Sequence, residues 1–163
     1  MHELEYQIGI VLKRVKWDER RIRNGAILNP SGDGYFIGFD NFISDDDVLG
    51  FASELSSRLD AKGVPIRVGI NKGPCFVYLD LNSKLNLCGW GIIDAERVMS
   101  CGDKNHILCT YEFAHEQQNR HSNPNLTHVG TADVKGRQLI VYNYAYTDQF
   151  GNCNVATIKN IMP

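Results

Sequence analysis

Leu4, Ile8, Val11, Leu12 and Val15 recur at the spacing of one helical face, with Lys13, Arg14 and Lys16 between them. That pattern predicts an amphipathic helix whose apolar stripe packs on a sheet. The helix is expected to run through Trp17-Asp18-Glu19-Arg20-Arg21 and to stop before Asn24-Gly25, a helix-ending pair. Two short apolar runs follow, residues 25–28 and 35–39, joined through Ser31-Gly32-Asp33-Gly34. Strand-like runs joined by Gly and Asp predict a β-hairpin, because Gly tolerates the positive φ of tight turns. Ser44-Asp45-Asp46-Asp47 then offers a capping hydroxyl and carboxylates to a second helix, with Val48, Phe51, Leu55 and Leu59 as its stripe.

Residues 66–70 read as a strand, broken by Gly73-Pro74, and residues 75–79 as a neighbouring strand ending in a polar tip over 80–84. A third helix is predicted after Gly89-Trp90-Gly91. Ile92, Ala95, Val98 and Met99 lie on one side of it, and Asp94, Glu96 and Arg97 on the others. A short buried strand over 106–109, a helical turn over 111–117 and a polar loop over 119–125 come next. Two strands, 127–130 and 138–142, close the pattern around Lys135-Gly136. This order implies an α+β, ferredoxin-like domain, a mainly antiparallel sheet with helices on one face.

Composition narrows the class. A chain of 163 residues supports one domain with a core, and a net charge of -2 argues against a nucleic-acid surface or a polybasic membrane patch. No apolar run reaches membrane-spanning length and the N-terminus has no signal-peptide pattern, so a cytoplasmic protein is expected. Five widely spaced cysteines, Cys75, Cys88, Cys101, Cys109 and Cys153, are odd in number and form no Cys-x-x-Cys pair. They are expected to be reduced thiols rather than disulfides or zinc ligands. His115 and His121, six apart, do not share a helical face and make a poor metal pair. Asp33 between two glycines offers a carboxylate with little steric cover to a metal or a phosphate. The plainer reading is a turn whose Asp satisfies backbone donors.

The segment Ile27-Leu28-Asn29-Pro30-Ser31-Gly32-Asp33-Gly34-Tyr35-Phe36-Ile37-Gly38-Phe39 resembles the metal-binding hairpin of class III nucleotidyl cyclases, the adenylate and guanylate cyclases. Ile66-Arg67-Val68-Gly69-Ile70-Asn71-Lys72-Gly73 resembles their Arg-x-Gly-Ile-x-x-Gly strand. Residues 89–99 resemble the helix after it, and Thr131-Ala132-Asp133-Val134-Lys135-Gly136 through Tyr142 the closing Lys-Gly strand. The likeness spans residues 25–144 in the family's order. It implies attack of a ribose 3′-oxygen on the α-phosphate of a nucleoside triphosphate, with loss of pyrophosphate and formation of a 3′,5′-cyclic nucleotide. By the same resemblance Asp33 is a metal carboxylate for Mg2+ or Mn2+, and Arg97 is the arginine that meets charge developing in the transition state. Lys135 or Arg137 is a cation for the triphosphate, and Asn86 and Ile27 stand at base-reading positions. The family's site lies between two domains, which implies a head-to-tail homodimer.

Several positions depart from the family's pattern. Its first strand carries a second metal Asp ahead of the first helix, and no residue of this sequence takes that place. Ile93 replaces the ribose-binding asparagine. Asn86 stands for an Asp and Ile27 for a Lys of adenylate cyclases, so the base is open and a purine is not assured. One carboxylate holds two divalent ions poorly. The expected domain therefore runs over 1–146 without the usual first strand, followed by an extension over 147–163 whose residues 155–161 have strand chemistry. Three functions are carried forward: a cyclase, impaired in this chain; a catalytically silent module binding a nucleotide or a partner; and a palm-type cyclic-oligonucleotide synthase.

Overall fold

The computed structural model describes residues 2–14, 26–120, 123–147 and 161–162. Helix α1 (His2–Arg14) carries the predicted stripe, and its expected continuation through Trp17 lies outside the described residues. Strands β1 (Ala26–Ser31) and β2 (Gly34–Phe39) form the hairpin with Gly32 and Asp33 at its turn. Helix α2 (Asp45–Asp60) starts where the sequence predicts, with Ser44 Oγ accepting from the Asp47 amide. Ile8, Val11 and Leu12 of α1 meet Phe51, Leu55 and Leu59 of α2 in a first core. Tyr35, Ile37 and Phe39 pack against that core, alternate residues of β2 as the period of two requires.

Among the described residues five strands make the main sheet, in the order β3 (Val68–Ile70), β6 (Ile107–Thr110), β8 (Arg137–Tyr144), β7 (Leu126–Val134), β9 (Ile161–Met162). Among these strands only β3 and β6 pair in parallel, and helix α3 (Trp90–Ser100) lies on the crossover between them. A crossover of this kind is what parallel neighbours need. The segment ending at 162 adds an edge strand, with Thr131 opposite Met162; residues 148–160 lie outside the description.

Three expectations are corrected. Residues 76–79 do not neighbour β3: β4 (Phe76–Leu79) pairs with β5 (Leu85–Cys88) in a separate two-stranded arm. The β1–β2 hairpin is likewise its own ladder rather than part of the main sheet. The helices also divide between the two faces. Ile107 and Cys109 point to α2 and to α4 (Tyr111–Arg120), while Leu108 and Val141 point to Val98 of α3 and to Cys101 at its C-terminal cap. The α+β class and the mainly antiparallel pairing stand.

Close approach of α3 to the sheet depends on Gly69. A Cβ there would collide with the Ala95 carbonyl oxygen and come within 2.7 Å of Met99 Cβ. Backbone cannot yield as a flexible side chain can, so Gly69→Ala is expected to cost roughly 1–3 kcal/mol of overpacking. A lowered urea midpoint checks this; an unchanged midpoint would mean that α3 shifts freely.

Candidate nucleotide site

Two clusters bring together some of the residues singled out from the sequence, Ile27 with Asn86 and Arg97 with Arg137. The first lies where the hairpin meets the arm. Leu87 of β5 fills the space that a Cβ on Gly38 would occupy, so the two ladders press together there. Ile27 and Asn29 lie two apart on β1, opposite Gly38 and Phe36, so all four share the hairpin face that Leu87 meets. On this face the Asn29 amide donates to Asn86 Oδ1. Asn86 is oriented from its other end, since its Nδ2 donates to Asp80 Oδ2 at 3.1 Å. Asn29 is buried, and its Oδ1 has no hydrogen-bond partner. Asn29 was not among the sequence candidates. The signal was present, a polar residue in an otherwise apolar strand two positions from Ile27.

Asp80 organises the tip of the arm by accepting from the amides of Lys84 and Asn82. These bonds, led by the one from Lys84, hold its carboxyl below its ordinary range. A depressed folded value means that the stabilisation is complete above the unfolded value and lost as pH falls through the folded one. Below about pH 4, the ordinary carboxylate range, the Asn82 and Lys84 amide resonances are expected to shift together as the tip loosens. Static resonances down to pH 2 would contradict that.

The second cluster is cationic. Asn71, at the end of β3, fixes the start of α3: its Nδ2 donates to the Gly91 carbonyl at 3.0 Å and its Oδ1 accepts from Thr110 at 2.6 Å. From that helix Arg97 reaches Asp94 Oδ1 at 3.6 Å, and Arg137, at the start of β8, reaches Asp94 Oδ2 at 2.8 Å. Both guanidinium carbons lie over the Trp90 ring, 5.9 and 5.2 Å from its centroid. Asp94, although off the predicted apolar side of the helix, is only 6% exposed. Arg97 is likewise mostly buried rather than solvated, and its Nε has no hydrogen-bond partner. Lys135 stands apart, exposed at the β7–β8 turn with φ 53°. The geometry therefore groups Arg137, not Lys135, with Arg97. Two cations beside an aromatic ring can bind a polyphosphate.

Asp33 is exposed at its turn, and none of the contacts among the described residues joins it to Arg97. Ile93, which the resemblance sets at the ribose position, is exposed on α3 and its apolar side chain offers no hydrogen bond. The described residues contain no group of three His, Cys, Asp or Glu side chains placed to hold a metal ion. A lone carboxylate at a solvent-facing turn does not match a two-ion centre within one chain. Among the described residues no helix is long and apolar enough to cross a membrane. Cys75, Cys88, Cys101 and Cys109 are free thiols; Cys153 lies outside the description.

With a five-stranded sheet, a Gly-Asp hairpin and arginines on α3 and β8, the architecture is that of a cyclase-homology domain. The family of the adenylate and guanylate cyclase catalytic domain matches residues 39–146, more than half of the chain, and the protein belongs to that family. Among solved structures, the guanylate cyclase domain of RhGC from Catenaria anguillulae, in complex with GTP, is similar over 87% of this chain and 79% of that one. The TM-score is 0.66 and the identity 19%. An adenylate cyclase from Trypanosoma brucei, in its monomeric state, covers 98% and 82% at TM-score 0.67 and 15% identity. A non-canonical dimeric guanylyl cyclase domain of the RhoGC fusion protein from the aquatic fungus Blastocladiella emersonii is similar over 88% of this chain and 79% of that one, at TM-score 0.66 and 17% identity. At these identities the likeness is one of fold. No curated protein matches the sequence. Cyclases of this family generally use divalent metals.

Proposed function

We propose that this domain binds a nucleoside triphosphate and converts it slowly to a 3′,5′-cyclic nucleotide, in a site completed by a second copy of the chain. The observation that carries this reading is the convergence of Arg97 and Arg137 at one point beside Trp90. In the reaction the ribose 3′-oxygen forms a bond to the α-phosphorus while the bond from that phosphorus to the pyrophosphate oxygen breaks. The 3′-hydroxyl proton is lost to solvent. Arg137 holds the triphosphate, and Arg97 meets the negative charge that grows at the α-phosphate. Asn86, held by Asp80 on one side and by Asn29 on the other, is the base-reading residue of the proposal.

Asp33 is the metal carboxylate of the proposal, facing Arg97 of the second copy in a head-to-tail homodimer. The β4–β5 arm supports that assembly, because Phe76, Val77, Leu79, Leu81 and Leu85 are each at least half exposed. Slow turnover follows from the single carboxylate and from Ile93, which gives the ribose no hydrogen bond. Those same two features favour a second reading, a silent module that binds nucleotide without cyclising it.

Incubation with each common nucleoside triphosphate and Mn2+, followed by chromatography of the products, separates the two. A slowly accumulating cyclic nucleotide that vanishes in Asp33→Ala supports the enzyme. Tight binding with no product at any time leaves the silent module, and neither binding nor product removes both.

A further inference from the structure

Asp94 is the member of the cationic cluster that the reaction does not use. An Asp three residues before an Arg on a helix ordinarily makes a solvated surface pair. Here the carboxylate is buried and lies between two guanidinium groups from different elements, at 2.8 Å from Arg137 and 3.6 Å from Arg97. One negative charge is shared by two positive ones, so the cluster keeps a surplus of one positive charge. The sharing is also incomplete. Asp94 Oδ1 and Arg97 Nε are both buried without a hydrogen-bond partner. A carboxylate thus sits between two cations where an oxyanion would, satisfying Arg137 well and Arg97 poorly.

We propose that Asp94 is a built-in competitor for the phosphate tail of the nucleotide. In the absence of nucleotide it holds Arg97 and Arg137 over Trp90, and a triphosphate binds by taking at least one guanidinium from it. This rests on the nucleotide reading of the same site. The exchange favours the triphosphate because several phosphate oxygens can satisfy both cations at once, including the Nε of Arg97 that the carboxylate leaves unpaired. It is opposed by the negative charge of Asp94, which remains close to the incoming anion. Asp94 therefore keeps affinity low and sets the triphosphate concentration at which the site fills.

The test uses the full chain with Trp17→Phe, so that Trp90 is its sole tryptophan. Its fluorescence is followed during titration with inorganic tripolyphosphate and, separately, with nucleoside triphosphates. Asp94→Asn preserves the shape and one acceptor oxygen while removing the charge. It is expected to bind tripolyphosphate about tenfold more tightly, an order-of-magnitude shift of about 1.4 kcal/mol. Adding Arg137→Ala should abolish that gain. If Asp94→Asn fails to fold, Asp94→Ala carries the same expectation. Wild-type binding that is unchanged or weakened by removing the charge would overturn the competitor role and leave the nucleotide reading intact. Failure of every folded variant to bind either tripolyphosphate or nucleotide would instead remove that reading, and the competitor with it.

Discussion

Replacing Arg137 with alanine should weaken nucleoside triphosphate binding by one to two orders of magnitude, whereas replacing Arg97 should mainly slow cyclisation. The split follows from where charge sits along the reaction. The outer phosphates are fully charged in the ground state, so a guanidinium that holds them contributes to binding. Hydrogen bonds to charged groups are worth roughly 1.5–3 kcal/mol, which is about 10- to 100-fold in affinity. Arg97 meets charge that appears only as the 3′-oxygen attacks, so its loss falls on turnover, by about 10²–10³-fold for one donor of this kind. Equilibrium binding measured beside single-turnover rates checks both halves. Both substitutions also unbalance Asp94, which then loses one of its two cations, so each variant is compared by its melting curve first. A folded Arg137→Ala chain with wild-type affinity would contradict the placing of the triphosphate.

The second large effect concerns assembly. Phe76→Ser with Leu79→Ser should turn a dimer into a monomer that still folds, with a single cooperative melting transition that no longer depends on protein concentration. Phe76 is 71% and Leu79 65% exposed, so neither contributes to the core of its own chain. Burying one such side chain against a partner is worth about 1.5–3 kcal/mol. Losing two therefore raises the dissociation constant by at least about a hundredfold. Sedimentation over a range of concentrations reads this directly. A wild-type chain that stays monomeric at about 50 μM, a range where even weak dimers form, would contradict the homodimer and the shared site together.

Much of the fold was legible because local chemistry and burial agree over long stretches. The Ser44 cap, the α2 stripe and the hairpin around Gly32 and Asp33 are all local signals, and each element formed where those signals lie. Burial failed as a guide in the arm. Phe76, Val77, Tyr78 and Leu79 read as a strand beside residues 66–70, yet all four are exposed in a separate arm, because an apolar run looks the same whether it faces its own core or not. Leu85–Cys88 was missed as a strand because four residues after a polar tip carry little periodicity. Of the candidate site residues, Asp33, Asn86 and Arg97 are legible in the sequence through its resemblance to the cyclase motifs. The pairing of Arg97 with Arg137 is not, since they lie 40 positions apart and meet only when α3 packs beside β8. Helical periodicity only sets Asp94 off the apolar side of α3 and gives no sign of its burial. Arg137, which makes burying that carboxylate tolerable, comes from a strand that the helix pattern does not include.

The most direct test of a site shared between two chains is complementation. Asp33→Ala and Arg97→Ala chains are prepared separately, each expected to show no Mn2+-dependent cyclic product, and are then mixed. In a head-to-tail dimer with two equivalent sites, half of the mixed population pairs one chain of each kind. Each such pair carries one intact site and one doubly damaged site, so about a quarter of the wild-type rate should return. Restoration to about that level is the predicted result. A mixture as inactive as its parts, with both variants folded and dimeric, would contradict the account.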